Sequence, residues 1–226
     1  MSNSTKTFVF AFAMCFFCSM LLAIAAIGLK PLQERNKLVD RQKNVLKSLD
    51  LLSETKKYTS DDIQSLYSNS IEELYLNDNN DLISEVTDKP IFVVRTGDDI
   101  NKYAIPFKAY GLWSWVYGYI ALDGDGSTVV GMTVYAHAET PGLGGECDKD
   151  WFLDQFIGKK ITNLENEFVS IVILKGKVAD ANIAQEDIAN HVDGMSGATI
   201  TSKGIENYLR DDLRKYETFS SSLRKG

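Results

Sequence analysis

The chain has 226 residues, 44% hydrophobic and 24% charged, with a formal net charge of −7 at pH 7. That is room for one sizeable domain and an appendage. All 31 acidic side chains follow residue 30, whereas Lys6 and Lys30 precede or end that stretch, so the remainder carries −9 and argues against nucleic acid as a partner.

The appendage comes first. Phe8 to Leu29 contains no charge, and its only polar side chains are Cys15, Cys18 and Ser19. A helix of this length, at ~1.5 Å per residue, spans the roughly 30 Å core of a bilayer. The run exceeds the ~7–15 residues of a cleaved signal's apolar region, so it reads as an uncleaved anchor, with 1–7 as a tail. Cys15 and Cys18 act there as small hydrophobes. Cys147 is alone in the remaining chain, which leaves no disulfide pair within it.

Behind the anchor, residues 30–90 read as a helical linker region. Gln33 to Leu52 carries a stripe of Leu38, Val39, Val45, Leu46, Leu49 and Leu52. A second helix is expected from Ser60, its stripe running through Ile63, Leu66, Tyr67, Ile71, Leu74 and Tyr75 until Asn77–Asp81 ends it. Strand signals then dominate 91–226. Ile91 to Arg95 is β-branched, and Val116–Leu122 and Thr128–Tyr135 flank the turn Asp123-Gly124-Asp125-Gly126. That turn lacks the other ligand positions of a calcium loop. A short helix over Asp148–Ile157, a strand over Phe168–Leu174 and a closing helix over Ile200–Leu223 complete an α+β domain, with helices on a mostly antiparallel or mixed sheet.

Two segments carry candidate chemistry. The first, His137-Ala138-Glu139-Thr140-Pro141-Gly142-Leu143-Gly144-Gly145-Glu146, forms a compact Gly/Pro loop of the kind that lets main-chain amides approach a flat ligand. With only His191 as a second histidine and no nucleophile–base pair, neither a hydrolytic triad nor a metal site suits it. The second, Asp193-Gly194-Met195-Ser196-Gly197-Ala198-Thr199, runs directly into the closing helix. On its own it reads equally as a glycine turn with an N-cap at Ser196 or Thr199.

The Ser-Gly-Ala-Thr segment with its upstream Asp resembles the flavinylation motif of the bacterial FMN-binding domain family. Combined with the His-x-Glu-Thr-Pro-Gly-Leu-Gly-Gly-Glu loop, the Asn36–Leu46 helix and the aromatic stretch Tyr110–Gly118, it is similar to the C subunit of the sodium-translocating NADH:quinone reductase. The likeness covers the chain apart from about Lys56 to Lys89. It implies a membrane-anchored flavoprotein that relays electrons and does no substrate chemistry of its own. FMN would be joined through its phosphate to the hydroxyl of Thr199. Ser196, Gly197 and Ala198 would shape the pocket, with Asp193, Gly197, Ala198 and Thr199 recognised by a flavin transferase. Glu139, Thr140, Leu143 and Gly144 would lie near the ring or ribityl chain, and Trp113 would pack on the ring. The implied partners are the other members of a six-subunit inner-membrane complex, notably its FMN-carrying B subunit and its iron–sulfur subunits. The alternatives are the G subunit of an Rnf-type complex and a stand-alone covalent-FMN carrier. The family's soluble domain faces the periplasm. Lys30, Arg35, Lys37, Arg41 and Lys43 after the span oppose that orientation by the positive-inside rule, but long domains translocate regardless of flanking charge.

Overall fold

The computed structural model describes residues 2–53 and 55–224. They form two compact units, Met1–Asp40 and Arg41–Gly226. The anchor and the helix expected behind it are one continuous element, α1 (Asn3–Ser48), which passes through Pro31. It is the one helix among the described residues long and apolar enough to cross a membrane. It stops four residues short of the expected Leu52, because Asp50 turns left-handed at φ 55°, a conformation that Asp tolerates better than most residues.

In the second unit, α2 (Ser60–Ser70) opens on a capping box. Thr59 Oγ1 accepts from the Asp62 amide, and Asp62 accepts from the Thr59 amide. The helix expected to carry its stripe to Tyr75 is shorter. α2 ends at Ser70, and Glu72–Leu76 is a strand, β1, with Leu74 opposite Ile91 and Tyr75 opposite Pro90. The Asn77–Asp81 cluster therefore ends a strand. Asn77 Oδ1 accepts from the amides of Asn79 and Asp81 and turns the chain into β2 (Leu82–Ile83). The stretch expected as a helical linker thus also supplies two strands.

β3 (Pro90–Thr96), β4 (Asp99–Tyr110), β5 (Trp115–Asp123) and β6 (Val129–Ala136) follow as an antiparallel meander, and the six-stranded sheet runs β2-β1-β3-β4-β5-β6. The expected hairpin is β5–β6. Its turn is fixed by Asp125, whose carboxylate accepts from the amides of Ser127 and Thr128 and from the Thr128 hydroxyl at 2.6–2.8 Å. β4 was not among the expected strands, and it carries Pro106, a residue that cannot donate to a ladder. Pro106 lies past the last β3–β4 pair, Phe92 opposite Ala104, where β5 is β4's remaining ladder partner.

After β6, a 3-10 turn (Gly144–Asp148), α3 (Asp150–Leu153) and a second 3-10 turn (Asp154–Phe156) occupy the expected short-helix region. The strand expected over Phe168–Leu174 contracts to β7 (Val172–Ile173), parallel to β8 (His191–Val192). The closing helix is α4 (Thr199–Arg224). One face of the sheet presents Ile91, Val93, Tyr103, Ile105, Phe107, Ile120 and Leu122. These pack with Ile205, Leu209, Leu213 and Tyr216 of α4 and with Phe152 and Phe156 in the main core. Across the sheet, the last turns of α1 and Leu49 just beyond them cover the other face: Val45, Leu46 and Leu49 are fully buried, the Asn44 carbonyl accepts from Thr133 Oγ1, and Arg41 lies over the Phe92 ring. The architecture is α+β, as the residue pattern predicts.

Candidate functional site

Three segments distant in sequence meet at one end of the sheet: the β4–β5 loop 111–114, the loop 137–144 after β6, and the turn 194–198 that starts α4. Together they enclose a cleft of about 280 Å³ lined by Leu112, Trp113, Glu139, Thr140, Leu143, Gly144 and residues 197–201. Leu112, Trp113, Leu143 and Ile200 stand at it with much of their apolar surface in solvent, Trp113 at 68% exposure. A cleft walled by such side chains suits a flat ring that keeps one edge accessible.

Glu139 is the polar centre. It is 5% exposed, yet its carboxylate accepts from the main-chain amides of Leu112 (3.2 Å), Trp113 (2.9 Å) and Ser114 (2.8 Å). The hydroxyls of Thr201 (2.8 Å) and Ser114 (3.3 Å) donate to it as well. Burial pushes its pKa up. The bonds from Trp113, Thr201, Ser114 and Leu112 outweigh burial and hold it below the ordinary carboxylate range, so Glu139 is ionised at neutral pH. The glycines around it make room. A Cβ at Gly111 would lie 2.7 Å from Glu139 Cδ, and one at Gly144 would lie 2.7 Å from Thr201 Oγ1 and collide with Glu139 Oε2. Gly144 therefore admits a buried carboxylate, in addition to lining the cleft. His137 braces the loop: its Nδ1 accepts from the Glu139 amide at 3.2 Å, and its Nε2 faces Asp148 Oδ2 at 3.2 Å.

Four hydroxyls lie around the start of α4, and the fold treats them differently. Thr201 and Ser202 are each 1% exposed; Thr201 donates to Glu139, and Ser202 Oγ accepts from the Met195 amide at 3.2 Å. Thr199 lines the cleft, half-buried, and Ser196 is exposed outside it. Among the described residues neither Ser196 nor Thr199 makes the capping bond that the plain turn reading requires. The Gly197 backbone is left-handed at φ 71°, and a Cβ there would lie 2.8 Å from Leu143 Cδ2. The amides of Thr199, Ile200 and Thr201 precede the first α4 bond, from Ser202 N to the Ala198 carbonyl, and no acidic side chain lies in this turn, so an anion is favoured at this end.

Of the residues singled out from the sequence, Trp113, Glu139, Thr140, Leu143, Gly144, Gly197, Ala198 and Thr199 share the cleft. Ser196 and Asp193 do not. Asp193 Oδ1 accepts from the Val178 amide at 2.7 Å, which pins the preceding loop. His191 holds the Asp187 carbonyl through Nδ1 at 2.6 Å and lies away from the cleft. Leu112, Ile200 and Thr201 were missed. Thr201 was visible as a second hydroxyl two residues past Thr199, but nothing local signals its bond to Glu139, 62 positions away. No group of three metal-ligating side chains occurs among the described residues.

Compared with known proteins, the chain is 31% identical to the C subunit of the Na(+)-translocating NADH-quinone reductase of Pseudomonas aeruginosa, over 99% of this chain and 97% of that one. It is 32% identical to the C subunit of the same reductase from Yersinia pestis, over 98% and 93%. The chain belongs to this C-subunit family. The likeness holds in three dimensions: the crystal structure of the C subunit from Parabacteroides distasonis matches with a TM-score of 0.71 at 30% identity, over 85% of this chain and 97% of that one. Within this member of the C-subunit family, the FMN-binding domain family matches residues 111–214. That span starts at the glycine beside Glu139 and takes in every segment that lines the cleft.

Proposed function

We propose that the protein is the flavoprotein C subunit of a sodium-translocating NADH:quinone reductase, with FMN held as a phosphoester on Thr199 and electrons relayed between other subunits. The observation that carries this reading is the isolation of one hydroxyl. At the start of α4 only Thr199 lies in the cleft with no hydrogen-bonded commitment, while Thr201 and Ser202 are buried and bonded. The residues present fit the group. The first turn of α4 would receive the phosphate, and Leu112, Trp113, Leu143 and Ile200, which line the cleft, would border the ring. Bound FMN supplies the electron-accepting and electron-donating chemistry; the chain tethers it, orients it and leaves one edge open. A tether suits a relay because it removes loss of the carrier by dissociation. The partners on this reading are the FMN-carrying B subunit and the iron–sulfur subunits, with a flavin transferase acting during maturation. The test is to unfold the membrane-extracted protein in detergent and view its gel band under ultraviolet light. A fluorescent band is expected, together with a peptide containing residues 196–203 whose mass is raised by FMN less one water. A dark band overturns the covalent reading.

We place α1 in the inner membrane, with the flavin domain on the periplasmic side. Support comes from the periplasmic placement that the family resemblance implies, set against the basic flank after Lys30. Alkaline phosphatase fused after Gly226 is expected to be active. Activity confined to a cytoplasmic reporter at the same position would reverse the orientation.

A further inference from the structure

We infer that Glu139 is the positioning residue of this cleft: its carboxylate fastens the Leu112–Ser114 wall to the first turn of α4 and thereby sets the wall opposite Thr199. The inference rests on the covalent reading of Thr199 for its function, though its geometry does not. A carboxylate that served as a ligand contact would leave an oxygen directed at the cleft. Here Oε1 accepts from Trp113 N, Ser114 N and Ser114 Oγ, and Oε2 from Leu112 N and Thr201 Oγ1. Both oxygens are occupied by the protein. Three consecutive amides ending on one side chain define the loop as a nest closed around an anion the chain itself provides. Thr201 adds the link to α4, since Leu112 N also approaches Thr201 Oγ1 at 3.4 Å. Gly111 and Gly144 are the spaces the carboxylate fills, which makes it a built feature rather than a chance contact. The same bond holds the Thr201 hydroxyl inside the protein, leaving Thr199 as the acceptor the cleft presents.

Bonds to a charged acceptor are stronger than neutral ones, and an amide left buried without a partner carries a further cost. Glu139→Gln places an NH2 group among donors and loses one oxygen, so the loop loosens while the sheet persists. In the full-length, flavin-loaded protein in detergent, the amides of Leu112, Trp113 and Ser114 are expected to lose protection from hydrogen exchange about tenfold or more. Tyr103 and Ile105 in the sheet keep theirs. The native-state fluorescence anisotropy of the attached flavin falls, because its wall has moved away. Thr201→Val gives part of the same loss, and Thr201→Ser restores it. The clamp also titrates. A depressed carboxylate pKa means its contribution is present above the unfolded-state value and is lost as pH falls through the folded value. Wild-type anisotropy therefore drops on acidification, and that drop is absent in Glu139→Gln. Unchanged protection at the three amides in a folded, fluorescent Glu139→Gln protein overturns the positioning role and leaves the covalent reading intact. A dark wild-type band with the exchange effect present does the reverse. Should Glu139→Gln lose sheet protection as well, Gly111→Ala decides, since its new methyl expels the carboxylate without altering it. Faster exchange at 112–114 supports the role, and wild-type exchange there overturns it.

Discussion

Thr199→Ala is expected to give a folded, membrane-bound chain whose denatured band is dark under ultraviolet light. Alanine is the best helix former and fits the first turn of α4 without strain, so accumulation and unfolding midpoint should stay near wild type. What disappears is the oxygen that would form the ester. The nearby hydroxyls do not substitute for it. Thr201 is committed to Glu139 and Ser202 to the Met195 amide, and each is 1% exposed. Freeing either hydroxyl to form the ester would leave its buried polar partner unpaired, at about 1–3 kcal/mol. Thr199→Ser keeps the oxygen and should retain part of the fluorescence. Ser202→Ala should retain all of it. A bright Thr199→Ala band would move the attachment elsewhere and remove the basis for reading this cleft as the covalent site.

The second large effect is structural. Gly204→Ala should destabilise the domain by about 1–3 kcal/mol, although alanine in a helix interior is ordinarily favoured over glycine by about 1 kcal/mol. At this position α4 crosses the end of β4 so closely that a Cβ on Gly204 would collide with the Tyr110 carbonyl oxygen and lie 3.1 Å from its carbon. The obstacle is main chain on both sides and cannot rotate away, so the helix must move. Tyr110 leads directly into the Leu112–Ser114 wall, and Gly204 lies five residues beyond Thr199, so the shift also opens the cleft. A thermal midpoint lowered by several degrees is expected, at about 2–4 °C per kcal/mol for a domain of this size. Gly176→Ala is the control: a Cβ there meets nothing within 4 Å, and its midpoint should not change. A Gly204→Ala protein as stable as the control would mean that the helix and strand are free to separate without cost.

How much of this was readable beforehand depended on range. Local signals sufficed for the β5–β6 hairpin, where Asp125 organises its own turn, and came within one residue of the start of α4, expected at Ile200 and found at Thr199. They failed where pairing decides. Ile71, Leu74 and Tyr75 continue a helical stripe, but ladder contacts with Pro90–Val93 make that stretch a strand. β4 carries Pro106, which lies beyond the last β3–β4 pair, where the missing amide costs no ladder bond to β3. At the site, the sequence pointed to eight of the eleven residues that line the cleft. It placed Glu139 near the ring or ribityl chain, but not the bonds its carboxylate accepts from amides 25–27 positions away and a hydroxyl 62 positions away. Asp193, named from the sequence for recognition by a flavin transferase, accepts from the Val178 amide 15 positions away. No local window contains bonds of that span.

The manner in which the sheet ends has a colloidal consequence. An outer strand with unpaired backbone groups is a template on which a second chain can grow. β2, at one margin, is only two residues long. β6, at the other, is overlaid at its start by 158–161: Val129 donates to the Lys159 carbonyl and accepts from Gly158, while Ile161 donates to Ser127. α3 and the 3-10 turns on either side of it pack along β6 as well. Copies of the domain waiting for their partners therefore meet one another with blunted margins, and overexpression should yield dispersed protein where an open-edged sheet of this width would precipitate.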